Sequence, residues 1–471
     1  MKRTTTTLTL VMINIAAIGA LNNLPTLAAV GFSSIIYYLI AMAFFFIPYS
    51  LIVAELASGF PNESGIYIWV KTAFGSRVGF IAVWLQWIEN IFWYPTILSF
   101  IAAALTYCFD PSLASNKIYN VIATLSIYWG LTIANLFGVN IANLISRIGS
   151  SFGILIPGIL IVGFGLYWFN YHQPTHLVVG WQHLFPNLKD YANLAFLVGI
   201  AQTLAGLEMS SVQSTHVVNP RRAFPLAILF STVIVCSLSI LGSLAIAAMV
   251  PATEIDLNNG VIQAFMVMMN GHFYLLTLIS ILVACGGMTA ASAWIMGPSS
   301  SLVQAAKDDC IPHFFCHLNP SGVSTPVLIT QGIVVSLLCG MFLLMPTVSS
   351  AYWLLTVIAG QLYLVMYLLM FAAAVKIRNK KSITYTYHIG DVKNTYIISA
   401  IGAVGCVAFI LLGFIPPLHM QESPLFIAMH LLICLAMLGL PFLIYSITKR
   451  NAKKLRALEP AAWKEHRKKA A

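Results

Sequence analysis

Long runs of apolar residues, separated by short polar segments, make up most of the chain. A membrane-crossing helix needs about 20 mostly apolar residues, because each residue adds about 1.5 Å of length against a hydrocarbon core of about 30 Å. Twelve stretches meet this requirement and predict an all-α membrane protein with twelve transmembrane helices. In chain order they are 8–30, 35–57, 79–107, 118–138, 149–169, 191–216, 225–250, 273–305, 325–345, 349–375, 395–415 and 425–447.

The composition agrees with lipid as the main solvent and excludes ordinary soluble proteins. Of the 471 residues, 59% are hydrophobic and 8% are charged, whereas a soluble domain has about 25% charged residues. The net charge of +10 comes from Lys and Arg at the ends of apolar stretches and in the C-terminal segment. Because these residues form no basic stripe interleaved with aromatic residues, we expect a lipid bilayer and no nucleic-acid partner.

The positions of Lys and Arg also predict the orientation in the membrane, because these residues are enriched in cytoplasmic loops. If the N-terminus is cytoplasmic, 22 of the 24 Lys and Arg residues lie on the cytoplasmic side. Only Lys117 and Lys189 then lie outside. We therefore expect both termini in the cytoplasm.

Helix breakers interrupt the first and the sixth stretch near their middle. The first contains two polar residues, Asn22 and Asn23, followed closely by Pro25, which lacks a backbone donor. The sixth contains Gly206, followed by the ionisable Glu208 and two Ser residues. Breaks at these two positions are typical of an inverted repeat of five plus five helices.

Unwound segments inside a bilayer predict a binding site for a small zwitterion. Half-helix N-termini and free N–H groups suit a carboxylate, whereas free carbonyl groups suit an ammonium group. The alternative is that both segments are packing kinks, because Gly and Pro are common in transmembrane helices. The matching positions of the two breaks favour a site, and so does Glu208, whose carboxyl group is costly to place at mid-membrane depth.

Four segments, spread over most of the chain, carry a family resemblance. They are Ala54-Glu55-Leu56-Ala57 with Gly59 to Gly75, Gly206-Leu207-Glu208-Met209-Ser210 with Asn219-Pro220-Arg221-Arg222, Trp294-Ile295-Met296-Gly297-Pro298 with Ile311-Pro312, and Gly413-Phe414-Ile415-Pro416-Pro417. Their order and spacing resemble the amino acid–polyamine–organocation (APC) superfamily of transporters. Within that superfamily, the chain resembles the bacterial glutamate/GABA antiporter-like subfamily.

The resemblance implies a secondary active transporter of a bacterial inner (plasma) membrane, with a LeuT-like core of ten helices in which helices one and six are broken. It implies that an amino acid is exchanged for a related product by alternating access. The expected organisation is a cytoplasmic N-terminus at 1–7, the transport core at 8–375, a cytoplasmic loop at 376–394, transmembrane helices eleven and twelve at 395–447, and a basic cytoplasmic tail at 448–471.

The resemblance also implies the site residues. The substrate backbone is expected at the unwound parts of helices one and six, Trp294 is expected to face the substrate, and Glu208 is the candidate for proton coupling. The predicted substrate-binding residues are Gly19, Ala20, Leu21, Asn22, Asn23, Ala205, Gly206, Glu208, Met209 and Trp294. Many superfamily members have a Gly-rich segment in helix one, whereas this chain has one Gly and two Asn between residues 19 and 23.

Other kinds of function have less support in the sequence. A proton-coupled amino-acid or amine symporter remains the alternative within the transporter class. A channel would need a repeated filter, and a membrane enzyme would need a nucleophile–base set or metal ligands, which the sequence does not suggest. We therefore expect no enzymatic activity, no cofactor and no metal, and we interpret Glu89 in the third stretch as a buried structural carboxyl group. The expected partners are the amino-acid substrate, its exchanged product, protons and lipid.

Overall fold

The chain is mainly helical in the ranges that the computed structural model describes, which are 6–60, 65–137, 149–171, 175–186, 193–211, 217, 220–270, 272–380, 383–385, 387–415 and 424–458. Most of the basic tail therefore lies outside the described residues. The α-helices are α1 Thr7–Ile18, α2 Leu24–Ala28, α3 Ser34–Ala41, α4 Ile47–Gly59, α5 Ile66–Phe74, α6 Ser76–Thr106, α7 Lys117–Leu136, α8 Ile156–Tyr171, α9 Trp181–Leu184, α10 Phe196–Leu204, α11 Glu208–Ser211, α12 Pro220–Met249, α13 Gly260–Met269, α14 Phe273–Lys307, α15 Thr325–Cys339, α16 Met341–Leu344, α17 Val348–Arg378, α18 Val392–Leu412 and α19 Pro424–Leu458.

Nine helical segments within these ranges are long and apolar enough to cross a membrane. They coincide with nine of the twelve predicted stretches and are Gly31–Gly59, Ser76–Thr106, Phe152–Tyr171, Arg222–Met249, Phe273–Lys307, Thr325–Leu344, Val348–Arg378, Val392–Leu412 and Ile427–Lys453. The other three predicted stretches hold the short helices α1 and α2, the 20-residue helix α7, and the short helices α10 and α11.

Two long helices, α6 and α17, form the centre of the bundle. The most apolar part of α6 is 94% buried and that of α17 is 83% buried, whereas the corresponding part of α19 is 17% buried. α6 packs against α14 and α17, and α17 also packs against α18. Helices that are apolar on all sides are buried in protein or face lipid, so α6 and α17 occupy the protein core and α19 lies at its periphery.

Both interruptions expected from the helix breakers are present. α1 ends at Ile18, and Ala20 has extended backbone angles, φ −62° and ψ 131°, before a short 3₁₀ turn leads into α2. α10 ends at Leu204, Ala205 is extended with φ −82° and ψ 150°, and Gly206 has φ +122°. α1 packs against α11, and the 3₁₀ turn packs against α10. The two breaks are therefore neighbours inside the bundle.

Candidate functional site

Gly206 gives the second break its shape. Its φ of +122° lies in a region that side chains disfavour. A Cβ atom at this position would lie 2.6 Å from the Trp294 ring, so the space that a side chain would need is already occupied. Only glycine meets both conditions.

Trp294 of α14 links the two breaks. Its ring lies against Gly206 of the second break. Its indole Nε1 donates a hydrogen bond of 3.1 Å to the carbonyl oxygen of Ala17, in the last turn of α1. The side chain is only 5% exposed. The residue therefore holds the interrupted ends of both helices in a fixed relation.

Tyr49 of α4 satisfies the backbone of the second break. Its hydroxyl oxygen accepts a hydrogen bond from the N–H of Gly206 at 2.9 Å and another from the N–H of Leu207. The same hydroxyl group donates to Glu208 Oε2 at 2.8 Å. Backbone groups that leave a helix inside a membrane need such partners. Tyr49 therefore bonds to two of the N–H groups that the sequence analysis expected to be free for a ligand.

Glu208 lies at the start of α11 and is 1% exposed. Its Oε2 accepts hydrogen bonds from Tyr49 and, at 3.0 Å, from Tyr367. Its Oε1 accepts hydrogen bonds from Tyr363 and, at 3.2 Å, from the amide of Gln86. Four neutral donors from three helices therefore converge on this carboxyl group.

Asn22 and Asn23 follow the first break and are held by Tyr352 of α17. The Tyr352 hydroxyl oxygen lies 3.0 Å from the Asn22 carbonyl oxygen and 3.2 Å from Asn23 Oδ1. Asn22 Nδ2 donates to the Tyr352 hydroxyl oxygen at 3.0 Å. These hydrogen bonds tie the 3₁₀ turn to α17.

A small cavity lies between the two breaks, α6, α14 and α17. Four of the predicted site residues line it, namely Ala20, Asn23, Ala205 and Trp294. The other six, Gly19, Leu21, Asn22, Gly206, Glu208 and Met209, lie outside its lining. Its free volume of about 20 Å³ holds about one water molecule. The cavity is therefore too narrow for an amino acid in this conformation.

Several residues that line the cavity were not among the predicted substrate-binding residues. α6 contributes Glu89, Asn90 and Trp93, and α10 contributes Gln202. Positions 86, 89, 90 and 93 recur at helical spacing and place polar and aromatic side chains on one face of an apolar helix. This polar and aromatic stripe is the sequence pattern that could have placed Glu89 at the site. No comparable local signal exists for Tyr49, because its contact with the break joins residues far apart in sequence.

A separate polar cluster lies at the end of α14. Lys71 Nζ forms an ion pair of 2.5 Å with Asp308 Oδ2, Tyr67 donates a hydrogen bond to the same carboxylate, and Lys449 Nζ donates to the Asp308 carbonyl oxygen at 3.2 Å. Partial burial raises the pKa of Asp308, but the hydrogen bonds from Lys71 and Tyr67 and the charge of Lys71 outweigh it and hold the pKa below its usual value. The cluster ties α5 and α19 to α14.

Comparison with known proteins identifies similarity to transporters. A family model described as amino acid permease matches residues 4–438. An uncharacterized transporter of Legionella pneumophila is 38% identical over 431 residues, covering 90% of this chain and 92% of its own. A glutamate/gamma-aminobutyrate antiporter of Lactococcus lactis is 29% identical over 435 residues, covering 90% of this chain and 86% of its own.

A more distant relative is a probable agmatine/putrescine antiporter of Lactococcus lactis, which is 24% identical over 357 residues and covers 74% of each chain. The family model spans nearly the whole chain. The structure of that chain is a helical bundle in which two broken helices flank a polar cavity. The chain therefore belongs to the amino acid permease family of APC membrane transporters.

Proposed function

We propose that this transporter is an antiporter that exchanges an amino acid or an amine for a related product by alternating access. The observation that carries the proposal is the narrow polar cavity between two broken helices, with Trp294 hydrogen-bonded to one break and packed on the other. Transporters with broken helices bind substrate near the bilayer midplane and open the site to each side in turn. The antiporter relatives support exchange as the mode of transport.

The small volume of the cavity defines one step of the proposed cycle. Room for about one water molecule is too little for an amino acid, so α1 and α10 must move apart from α6 before substrate enters. The breaks at Ala20 and Ala205 are the natural hinges, because the backbone is extended there and makes no continuous helix.

We further propose that the stretches holding α1–α2, α7 and α10–α11 also cross the membrane, which would give twelve crossings. The distribution of Lys and Arg supports cytoplasmic termini. Reporter fusions of alkaline phosphatase and green fluorescent protein after residues 110 and 380 test this orientation. Fluorescence is expected for the fusion after 380 and phosphatase activity for the fusion after 110, and the reverse pattern would contradict the assignment.

Counterflow in proteoliposomes tests the proposed exchange. Vesicles holding the full chain are preloaded with unlabelled glutamate, GABA, putrescine or agmatine, and uptake of each labelled compound is measured. An antiporter gives saturable uptake only when a substrate is inside. Uptake into unloaded vesicles that follows an imposed pH gradient would instead identify the proton-coupled symporter. Unsaturable flux would indicate a channel, and chemical conversion of the label would indicate an enzyme.

A further inference from the structure

Glu89 is buried and has two hydrogen-bond donors among the residues that the structure describes. The residue lies on α6, is 3% exposed and lines the cavity between the two breaks. Asn90 donates to its Oε2 at 2.8 Å, and Gln202 donates to its Oε1 over a long distance of 3.4 Å. In contrast, Glu208 accepts four hydrogen bonds. A buried carboxylate with two neutral donors, one of them distant, is costly unless the group is protonated or a cation approaches it.

Gln202 offers a second acceptor at the same place. Its side chain is 8% exposed and also lines the cavity. The amide nitrogen faces Glu89, and the amide oxygen, Oε1, has no hydrogen-bond partner among the residues that the structure describes. Buried polar atoms are nearly always paired. A ligand that donates hydrogen bonds could therefore bind to this carbonyl oxygen and to the neighbouring carboxylate at the same time.

The surrounding side chains also favour a cation. The rings of Trp93, Trp294 and Tyr363 line the cavity. The Trp93 and Trp294 centroids are 6.1 Å apart, and those of Trp294 and Tyr363 are 6.3 Å apart. Aromatic faces attract ammonium groups. None of the described residues lining the cavity is Lys, Arg or His, so the site provides no positive charge for a second carboxylate of a substrate.

We propose that Glu89 and Gln202 form the acceptor site for the ammonium group of the substrate, and that the transporter selects zwitterions or amines over substrates with a net negative charge. This assignment rests on the proposed transport function. The ammonium group donates to the Glu89 carboxylate and to Gln202 Oε1, with the aromatic rings around it. The free volume of the cavity, about 20 Å³, suits a group of the size of water or ammonium. The rest of the substrate needs the wider cavity that forms when α1 and α10 move apart from α6.

Matched ligand pairs test the assignment through thermal unfolding of the purified full chain. Each pair contains an ammonium compound and its analogue without nitrogen, namely GABA with butyrate, glutamate with glutarate, and putrescine with butane-1,4-diol. In the wild type, only ammonium compounds are expected to raise the melting temperature, and GABA or putrescine is expected to bind more tightly than glutamate. The buffer contains potassium as the only added cation, so that a sodium requirement becomes visible when sodium chloride replaces potassium chloride.

Glu89→Gln is the main variant. It keeps the shape of the side chain and removes the charge, so the affinity for ammonium compounds is expected to fall by about 30-fold or more, as when one partner of a buried charge pair is lost. Gln202→Met keeps length and removes the free oxygen, and it provides the test if Glu89→Gln does not fold. The matched control is Glu254→Gln, because Glu254 is exposed on an outer segment away from the cavity; its affinities are expected to equal those of the wild type.

Three results would overturn the assignment. One is binding of butyrate or glutarate as tightly as their ammonium partners, a second is unchanged affinity in both Glu89→Gln and Gln202→Met, and a third is ligand binding that requires sodium, which would assign the acceptors to a metal ion. Failure of the proposed function is distinguishable, since then no compound in the panel stabilises the wild type or drives counterflow.

Discussion

The hydroxyl oxygen of Tyr49 accepts a hydrogen bond of 2.9 Å from the backbone N–H of Gly206. The two residues are 157 positions apart in the chain. The bond joins α4, an uninterrupted helix, to the break between α10 and α11. Because the same hydroxyl group donates to Glu208, the shape of the break and the orientation of its carboxyl group depend on one side chain.

Replacing Tyr49 with Phe tests this dependence. The change leaves two buried N–H groups without their acceptor, and each unsatisfied group costs about 1–3 kcal/mol. We expect a lower free energy of unfolding and a raised KM in counterflow. Tyr119→Phe is the control, because it removes one hydrogen bond, to the Ala102 carbonyl oxygen, away from the breaks. Equal effects of the two substitutions would contradict a special role for Tyr49.

Gly206→Ala is expected to damage both stability and transport. A non-glycine residue held in a disfavoured backbone region costs about 1–3 kcal/mol, and the contact with Trp294 adds to this. Gly130→Ala in α7 is the control, because open space surrounds its Cβ position and alanine favours a helix by up to about 1 kcal/mol. Chemical denaturation in detergent measures the stability of the two variants, and counterflow measures their transport. Wild-type behaviour of Gly206→Ala would mean that the break is not required.

Glu208→Gln tests proton coupling. The groups that face Glu208 are the hydroxyls of Tyr49, Tyr363 and Tyr367 and the amide of Gln86, and Glu89 lies near them across the site. If protonation of Glu208 accompanies exchange, the Glu208→Gln variant should show a flatter pH dependence of uptake while it retains substrate binding. Counterflow from acidic to neutral pH, with Glu254→Gln alongside, provides the measurement. A pH profile unchanged from that of the wild type would remove Glu208 from coupling.

Asp308 gives a pH dependence of stability with a defined sign. Its pKa in the folded protein is lowered by Lys71 and Tyr67 despite partial burial, so the ionised group stabilises the fold above its usual pKa. This contribution is lost as the pH falls through the lowered value. Because the pair is partly exposed, the effect should not exceed about 1 kcal/mol.

The measurement is thermal unfolding of the wild type, Asp308→Asn, Lys71→Met and the double variant between neutral and acidic pH. The wild type is expected to be the most stable at neutral pH, and the difference from Asp308→Asn should shrink as the solution becomes acidic. A difference that grows on acidification would show that the sign is wrong. The double-variant cycle isolates the energy of the ion pair.

The sequence by itself determined the membrane class, the positions of both breaks, and twelve apolar stretches, nine of which match long apolar helices within the described ranges. These features depend on local properties, because a long apolar run needs lipid or a protein core around it, and because Pro25 lacks a backbone donor and Gly206 has no side chain, which weakens a helix locally. The family resemblance rests on motifs that are likewise local, and the match to the amino acid permease family confirms it.

Only the tertiary structure decided which polar atoms meet. Backbone groups at the breaks form hydrogen bonds with the side chains of Tyr49, Tyr352 and Trp294. One cavity is lined by both Glu89 and Gln202, which are more than one hundred positions apart in the chain. Hydrogen bonds act over about 3 Å, so their partners are set by how helices distant in sequence pack. A periodic pattern shows which face of a helix is polar, but the packing of the bundle selects the atoms that remain for a ligand.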